Sequence, residues 1–274
     1  TTGSCNTASG YYALKSNTIG YQNTAYGAYA LGNNTNNHGA AFGYAAGWSN
    51  TTGNSIAAFG ACALYDNTTG NGNTGLGYEA LRKNTTGYRN TSAGMRALGC
   101  NVTGNENTAF GYYALCCNTA SYNTAVGNQS LQLNSTGTEN TTLGAAAGTN
   151  NTTGSYNTAL GAGSFAYNTT GSNNTNIGRN SLRCNTTGGS NTATGFNSLC
   201  LNTTAGYNTA FGRSSLEVNT GANNTASGAY ALASNTTAGY NSAFGASTLR
   251  NNTTGTGLAA FGSSALYCNT TGNN

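Results

Sequence analysis

The chain has 274 residues, of which 41 are glycine, none is proline and only 5% are charged. Its net charge of +4 is too dilute for a nucleic-acid or membrane-surface partner, and the basic residues form no patch beyond Arg82 and Lys83. No apolar run approaches the roughly 20 residues of a membrane span. We therefore predict neither nucleic-acid binding nor a membrane-spanning segment.

From Asn6 onward the chain consists of sixteen copies of one unit, N-T-A-Φ-G-x-x-A-L-x-x-N-T-T-G-x-x, where Φ is often aromatic or aliphatic. Thirteen copies have 17 residues, and the three copies with 16 begin at Asn23, Asn107 and Asn208. Positions are numbered below from the first Asn of each unit. A fixed short period predicts a stack of one supersecondary unit. Residues 1–5 resemble the tail of a preceding unit, so we predict one continuous array over residues 1–274, belonging to a longer array or filament.

Each unit opens with glycine-bounded segments that favour short strands. Glycine occupies position 5 in all sixteen copies and would cost a helix about 1 kcal/mol each time. We predict one strand around positions 2–5 and a second around positions 7–11. The fold class is therefore all-β, a parallel β-solenoid of sixteen coils. Among the invariant glycines are Gly60, Gly77, Gly94 and Gly111.

The remainder of the unit turns the chain towards the next coil. All three shortened copies lose their residue after position 12, where a turn tolerates changes in length. Position 12 itself is Asn in every copy, and stacked side-chain amides can hydrogen-bond along such a column. We predict a structural ladder that includes Asn50, Asn67, Asn84, Asn101 and Asn118.

Two apolar columns are predicted to form the core. Position 9 is Leu in thirteen copies and should be the interior column, at about 1.5–3 kcal/mol for each buried side chain. The Φ residues at position 4 supply the second predicted ladder. Typical members of the leucine column are Leu64, Leu81, Leu98 and Leu115.

The segment from Asn107 to Leu115, Asn-Thr-Ala-Phe-Gly-Tyr-Tyr-Ala-Leu, contains the motif A-Φ-G-x-x-A. This motif resembles the head repeats of trimeric autotransporter adhesins, the YadA-like family, and related phage or viral tail-fibre repeats. The resemblance extends over essentially the whole chain, although the family's commonest unit is shorter. It implies a left-handed parallel β-roll in a surface fibre, commonly a homotrimer.

The sequence motifs that resemble catalytic or cofactor-binding sites are explained by the repeat itself. The G-x-G-x-x-G word from Gly70 to Gly75 lacks the strand-and-helix context of a dinucleotide site. His38 is the only histidine, and the five carboxylates occupy different units and columns. We therefore predict no catalytic group, metal or cofactor, and a protein that is not an enzyme.

Cysteines and sequons are candidate modification sites. Cys100 and Cys117 share position 11 in adjacent coils, so we predict a disulfide between them, with free thiols as the alternative. The Asn-Thr-Thr words also match the N-glycosylation acceptor. The predicted acceptors are Asn50, Asn67, Asn84, Asn168, Asn185, Asn202 and Asn252, and a buried ladder would exclude them.

Composition and repeat together predict a structural or adhesive fibre component that is extracellular or at the cell surface. Its partners would be other copies, as an end-to-end filament or homotrimer, and host surfaces or glycans. Tyrosines that follow the invariant glycine suit adhesive contact because their bodies are apolar and their tips polar. The alternative is an ice-binding solenoid that uses threonine columns at positions 2 and 13. The tyrosines are Tyr11, Tyr12, Tyr29, Tyr44, Tyr78, Tyr112, Tyr113 and Tyr230.

Overall fold

The computed structural model describes residues 2–273; Thr1 and Asn274, at the two ends of the predicted array, lie outside the described residues. The chain forms two compact units, one ending at Thr138 and the other beginning at Glu139. Each is described by itself. Residues 2–273 contain strands, turns and bends but no helix, and so none long enough to cross a membrane.

Every coil contributes one three-residue strand at positions 2–4. The first unit holds β1 (Thr7–Ser9), β2 (Thr24–Tyr26), β3 (Ala40–Phe42), β4 (Ala57–Phe59), β5 (Thr74–Leu76), β6 (Thr91–Ala93), β7 (Thr108–Phe110) and β8 (Thr124–Val126). The second unit holds β9 (Thr141–Leu143), β10 (Thr158–Leu160), β11 (Thr175–Ile177), β12 (Thr192–Thr194), β13 (Thr209–Phe211), β14 (Thr225–Ser227), β15 (Ser242–Phe244) and β16 (Ala259–Phe261).

Within each unit every strand pairs in parallel with the next strand along the chain. The register matches position with position, so that Thr91 lies beside Thr108 in one unit and Thr192 beside Thr209 in the other. The predicted all-β parallel solenoid is therefore confirmed. The shortened copies keep this register because their missing residue lies in the turn.

The predicted second strand is wrong, because positions 5–12 form consecutive turns. In one coil Gly94, Arg96 and Leu98 have φ angles of 132°, 57° and 52°. Positive φ at alternate residues prevents the backbone from extending. Leucine rarely adopts this left-handed conformation, which costs roughly 1–2 kcal/mol, so residue type alone did not suggest it.

The backbone N–H groups of this turn segment alternate between two kinds of partner. Positions 8, 10 and 12 donate within the coil, as from Gly99 to the carbonyl of Arg96 at 3.1 Å. Odd positions donate to a neighbouring coil, as from Leu98 to the carbonyl of Ala114 at 3.0 Å. The segment thus satisfies its buried backbone donors without a second sheet, and these bonds offset the strained φ angles.

The core contains the predicted leucine column, whereas the prediction for the Φ column is wrong. Leu64, Leu81, Leu98 and Leu115 are fully buried. Along β7, however, Ala109 is fully buried while Phe110 is 41% exposed. Successive side chains of a strand point to opposite faces, so position 3 faces the leucines and positions 2 and 4 face outwards.

Where one coil lacks the position 9 leucine, a larger side chain at position 1 of the next coil fills the space. Position 9 is glycine at Gly47, and a Cβ built there would lie 3.3 Å from the Cδ1 atom of Ile56. Ile56 replaces the usual Asn at position 1 of the next coil and is 1% exposed. The isoleucine side chain therefore fills the volume that a position 9 leucine occupies elsewhere.

Candidate functional site

The asparagines at position 12 form the predicted ladder. The Nδ2 group of Asn84 donates to the Oδ1 atom of Asn67 at 2.8 Å and to the carbonyl of Gly87 at 2.9 Å. The amide of Asn101 continues the column by donating to Asn84 at 2.8 Å. Most of these side chains therefore close their own turn and also join two coils. The column is interrupted before Asn118, whose amide donates to the carbonyl of Ala120, so the Oδ1 atom of Asn101 has no partner. Asn50, Asn67, Asn84, Asn101 and Asn118 are all fully buried.

A second asparagine ladder, at position 1, was missed from the sequence. The backbone N–H of Asn90 donates to the Oδ1 atom of Asn73 at 2.9 Å, and its Nδ2 group donates to the carbonyl of Gly104 at 2.8 Å. Thirteen of the sixteen copies carry Asn at position 1. This near-invariance could have indicated the ladder from the sequence.

The predicted N-glycosylation sites are wrong for the folded chain. Their amide nitrogens are the ladder donors, as Asn168 and Asn185 show by donating to the preceding asparagine at 2.6 and 2.8 Å. A glycan on Nδ2 would remove a donor and would need space that a buried side chain does not have. The residues concerned are Asn50, Asn67, Asn84, Asn168, Asn185, Asn202 and Asn252, each 0% exposed.

The glycines at position 5 are required by both conformation and space. Gly60, Gly77, Gly94 and Gly111 have φ between 127° and 135°. A Cβ at Gly94 would lie 2.4 Å from the carbonyl oxygen of Gly111 in the next coil. Both the φ angle and the backbone approach exclude a side chain at this position.

The outward-facing Φ residues form an apolar surface on each unit, which we call the outer stripe. Phe42 stacks on Tyr26 and on Phe59, with ring centroids 5.4 and 4.9 Å apart. Phe244 and Phe261 stack in the same way at 5.1 Å. The outer stripe comprises Tyr26, Phe42, Phe59, Leu76, Phe110 and Val126 in the first unit, and Leu143, Leu160, Ile177, Phe211, Phe244 and Phe261 in the second.

The tyrosines after the invariant glycine lie at the surface, as predicted. Tyr11, Tyr44, Tyr78 and Tyr112 are exposed, and the other predicted members are exposed or half-buried. Near the start of the first unit they join the only tryptophan, with the rings of Tyr29 and Trp48 5.1 Å apart and edge-on. An open groove of about 210 Å³ is lined by Tyr29, Tyr44, Ala45, Trp48 and Tyr65.

The two threonine columns differ in their environment. Threonines at position 2 lie on the strands and share the outward face with the outer stripe. Those at position 13 lie in the turn, where the Oγ1 atoms of Thr51 and Thr68 donate to the carbonyls of Thr68 and Thr85 at 3.0 and 3.1 Å. The position 13 hydroxyls therefore already act as donors between coils.

One group of charges in the first unit is tightly paired. The carboxylate of Glu79 accepts from Arg96 at 2.6 Å and from Arg82 at 3.1 Å. The hydrogen bond from Arg96 holds the pKa of the Glu79 carboxyl below its usual range, against the opposing effect of burial. A carboxylate held by two guanidinium groups remains ionised and is a poor proton donor, so the group fits a structural role.

The remaining predicted chemical motifs lie apart from one another. His38 contacts the Oε1 atom of Gln22 at 2.8 Å through Nε2. Gly70 and Gly72 lie in the irregular segment before β5, and Gly75 lies in β5. Among residues 2–273, no three His, Cys, Asp or Glu side chains come close enough to hold a metal ion.

All eight cysteines are free thiols in the structure, so the predicted Cys100–Cys117 disulfide is not formed. Cys117 is exposed, and its backbone N–H donates to the carbonyl of Gln132 in the following coil. The same offset of one residue holds along the paired strands, where the backbone N–H of Thr91 donates to the carbonyl of Asn107 while Thr91 lies beside Thr108.

Comparison of the chain with protein-family models, with curated proteins and with solved structures finds no match in any of the three.

Proposed function

We propose that this protein is a non-enzymatic structural and adhesive fibre component that acts outside the cell, and that copies of the chain associate side by side through the outer stripe. The observation that carries the proposal is the column of solvent-facing apolar side chains at one position of successive coils. Phe42, Leu76 and Phe110 are 38%, 41% and 41% exposed in one unit, and Leu143 and Phe211 are 52% and 46% exposed in the other.

A second copy of the chain is the occupant that fits this surface. Contiguous exposed apolar patches usually mark interaction sites. The stripe repeats at about 4.8 Å per coil, so only a partner with the same period can match it along its whole length. A second copy has that period, and identical stripes can meet face to face around a symmetry axis.

The exposed tyrosines supply the adhesive part of the proposal. Tyr11, Tyr44, Tyr78 and Tyr112 lie outside the stripe, so they stay accessible when stripes associate. Aromatic faces with hydroxyl tips suit both protein surfaces and glycans. The predicted homotrimer, the end-to-end filament, the left-handed coil and the relation to YadA-like repeats belong to this same proposal.

The ice-binding alternative stays a prediction. Its two threonine columns do not share a face, and the hydroxyls of Thr51 and Thr68 are already used between coils. The position 2 column shares its face with large apolar side chains, so we favour association over water ordering there.

The proposal is tested by removing two rings from the outer stripe. We expect Phe42→Ser/Phe110→Ser to shift the sedimentation coefficient towards the monomer, because serine occurs naturally at position 4 in Ser9 and Ser227 and should preserve the fold. The matched control is Tyr78→Ser/Tyr112→Ser, which removes two exposed rings from position 6 and should leave assembly unchanged. A wild-type chain that stays monomeric at high concentration, or equal assembly of both variants, would contradict the proposal.

A further inference from the structure

Two pairs of cysteines occupy the same relation between successive coils. The backbone N–H of Cys100 donates to the carbonyl of Cys116 at 2.9 Å, and that of Cys184 donates to the carbonyl of Cys200 at 2.9 Å. In each pair, a cysteine at position 11 of one coil donates its backbone N–H to a cysteine at position 10 of the next. One pair lies in each unit, so the arrangement occurs twice independently.

In the first pair the two side chains line the same space. Cys100 and Cys116 line one cavity of about 80 Å³, which Arg96 and Glu79 also line. Neighbouring coils are about 4.8 Å apart. A disulfide spans Cα separations of roughly 4.4–6.8 Å, which suits residues that a backbone hydrogen bond of 2.9 Å joins across adjacent coils.

The two members of each pair differ in exposure. Cys116 and Cys200 are buried, at 7% and 8% exposed, while Cys100 and Cys184 are half-buried. Burial raises the pKa of the Cys116 thiol to about 12, with Cys117 and Cys100 adding to the effect. Burial likewise raises the pKa of the Cys200 thiol to about 11, with Cys184 adding to it. The more accessible thiol is therefore the one that a reagent meets first.

We propose that Cys100–Cys116 and Cys184–Cys200 are two sites of disulfide formation, each joining a coil covalently to its neighbour. The oxidant is a small-molecule disulfide of the glutathione class. Cys116 rather than Cys117 is the partner of Cys100, because Cys116 lines the same cavity as Cys100 whereas the side chain of Cys117 is exposed.

Thiol–disulfide exchange forms each bond in two steps. The deprotonated sulfur of Cys100 or Cys184 attacks the reagent, so a protein–reagent disulfide forms and one reagent thiolate leaves. The buried cysteine then loses its proton to solvent, and its sulfur attacks that mixed disulfide. The second reagent thiolate leaves, so two protein thiols are oxidised while one reagent disulfide is reduced to two thiols.

Peptide mapping tests the proposal. The folded full-length chain is incubated with oxidised glutathione, alkylated, cut with chymotrypsin without reduction and measured by mass spectrometry. Phe110 and Phe196 lie between the members of the two pairs, so each disulfide should appear as a linked peptide pair. We expect both linkages, with four of the eight cysteines consumed.

Two variants distinguish the adjacent cysteines of the first pair. Cys116→Ser should abolish the linkage to Cys100, whereas Cys117→Ser should leave it intact. The Cys184–Cys200 linkage, measured in the same samples, is the internal control for folding. Linkage of Cys100 to Cys117, or glutathione adducts alone on the folded wild-type chain, would overturn the proposal.

Discussion

Asn176 is the residue at which the core of the second unit departs from its own repeat. It occupies position 3, where Ala159 and Ala193 stand in the neighbouring coils. The side chain is fully buried, and neither its Oδ1 nor its Nδ2 atom has a hydrogen-bond partner. An amide desolvated without partners is destabilising, so this position carries a local cost.

We expect Asn176→Ala to stabilise the second unit by about 1 kcal/mol, because it removes the unpaired amide at a position that alanine fills elsewhere. Chemical denaturation followed by circular dichroism measures the change. Asn150→Ala, at a half-buried position, is the control and should change the stability by less than about 0.5 kcal/mol. Destabilisation by Asn176→Ala would contradict this assignment of an unpaired amide.

At the scale of one element, the coil, the sequence predicted some contacts and not others. The leucine and asparagine columns were predictable because burial and amide stacking restrict residue type at one position. The outward direction of Phe110 was not, since an aromatic residue suits an interior and an exposed stripe equally. The left-handed φ of Leu98 was not predictable either, because the turn is stabilised by backbone bonds to its neighbours and not by its own residue types.

At the scale of the coil, the filling of the space beside Gly47 by the side chain of Ile56 leads to a prediction. We expect Ile56→Asn to cost about 2–4 kcal/mol, because it leaves a cavity beside Gly47. Gly47→Leu alone should cost about 1–3 kcal/mol by overpacking against Ile56. The double variant restores the usual residues at both positions, so its loss should be smaller than the sum by about 1–3 kcal/mol.

Denaturation followed by the fluorescence of Trp48, the only tryptophan, measures all three variants from within the same coil. Strict additivity of the two single losses would show that the side chains do not share one space.

At the scale of the whole molecule, the repeat implies that one complete coil can be deleted without disturbing the stacking of the others. Each strand contacts only its neighbours within its unit, and equal positions stack on one another. Stability should then be close to a sum of coil and interface terms. Removing a complete coil brings equal positions together again, whereas removing part of one does not.

We expect deletion of residues 224–240, one complete 17-residue coil, to preserve the fold, with Ala210 and Leu216 meeting Ala243 and Leu249. Circular dichroism and the thermal midpoint measure the result. Deletion of residues 224–232 removes fewer residues but shifts the columns, so it should abolish native structure in the neighbouring coils. The reverse order of stability for the two deletions would contradict stacking by position.

The asparagine ladders give each unit a polarity. Where successive position 12 asparagines contact each other, the later residue donates to the earlier one, as Asn67 does to Asn50 and Asn252 to Asn235. The position 1 ladder points the same way, from Asn107 to Asn90. The amide dipoles therefore add along the stack instead of cancelling. A coil stacked in the opposite direction would place one amide oxygen against another. Any segment that extends these ladders must therefore stack with its chain running in the same direction.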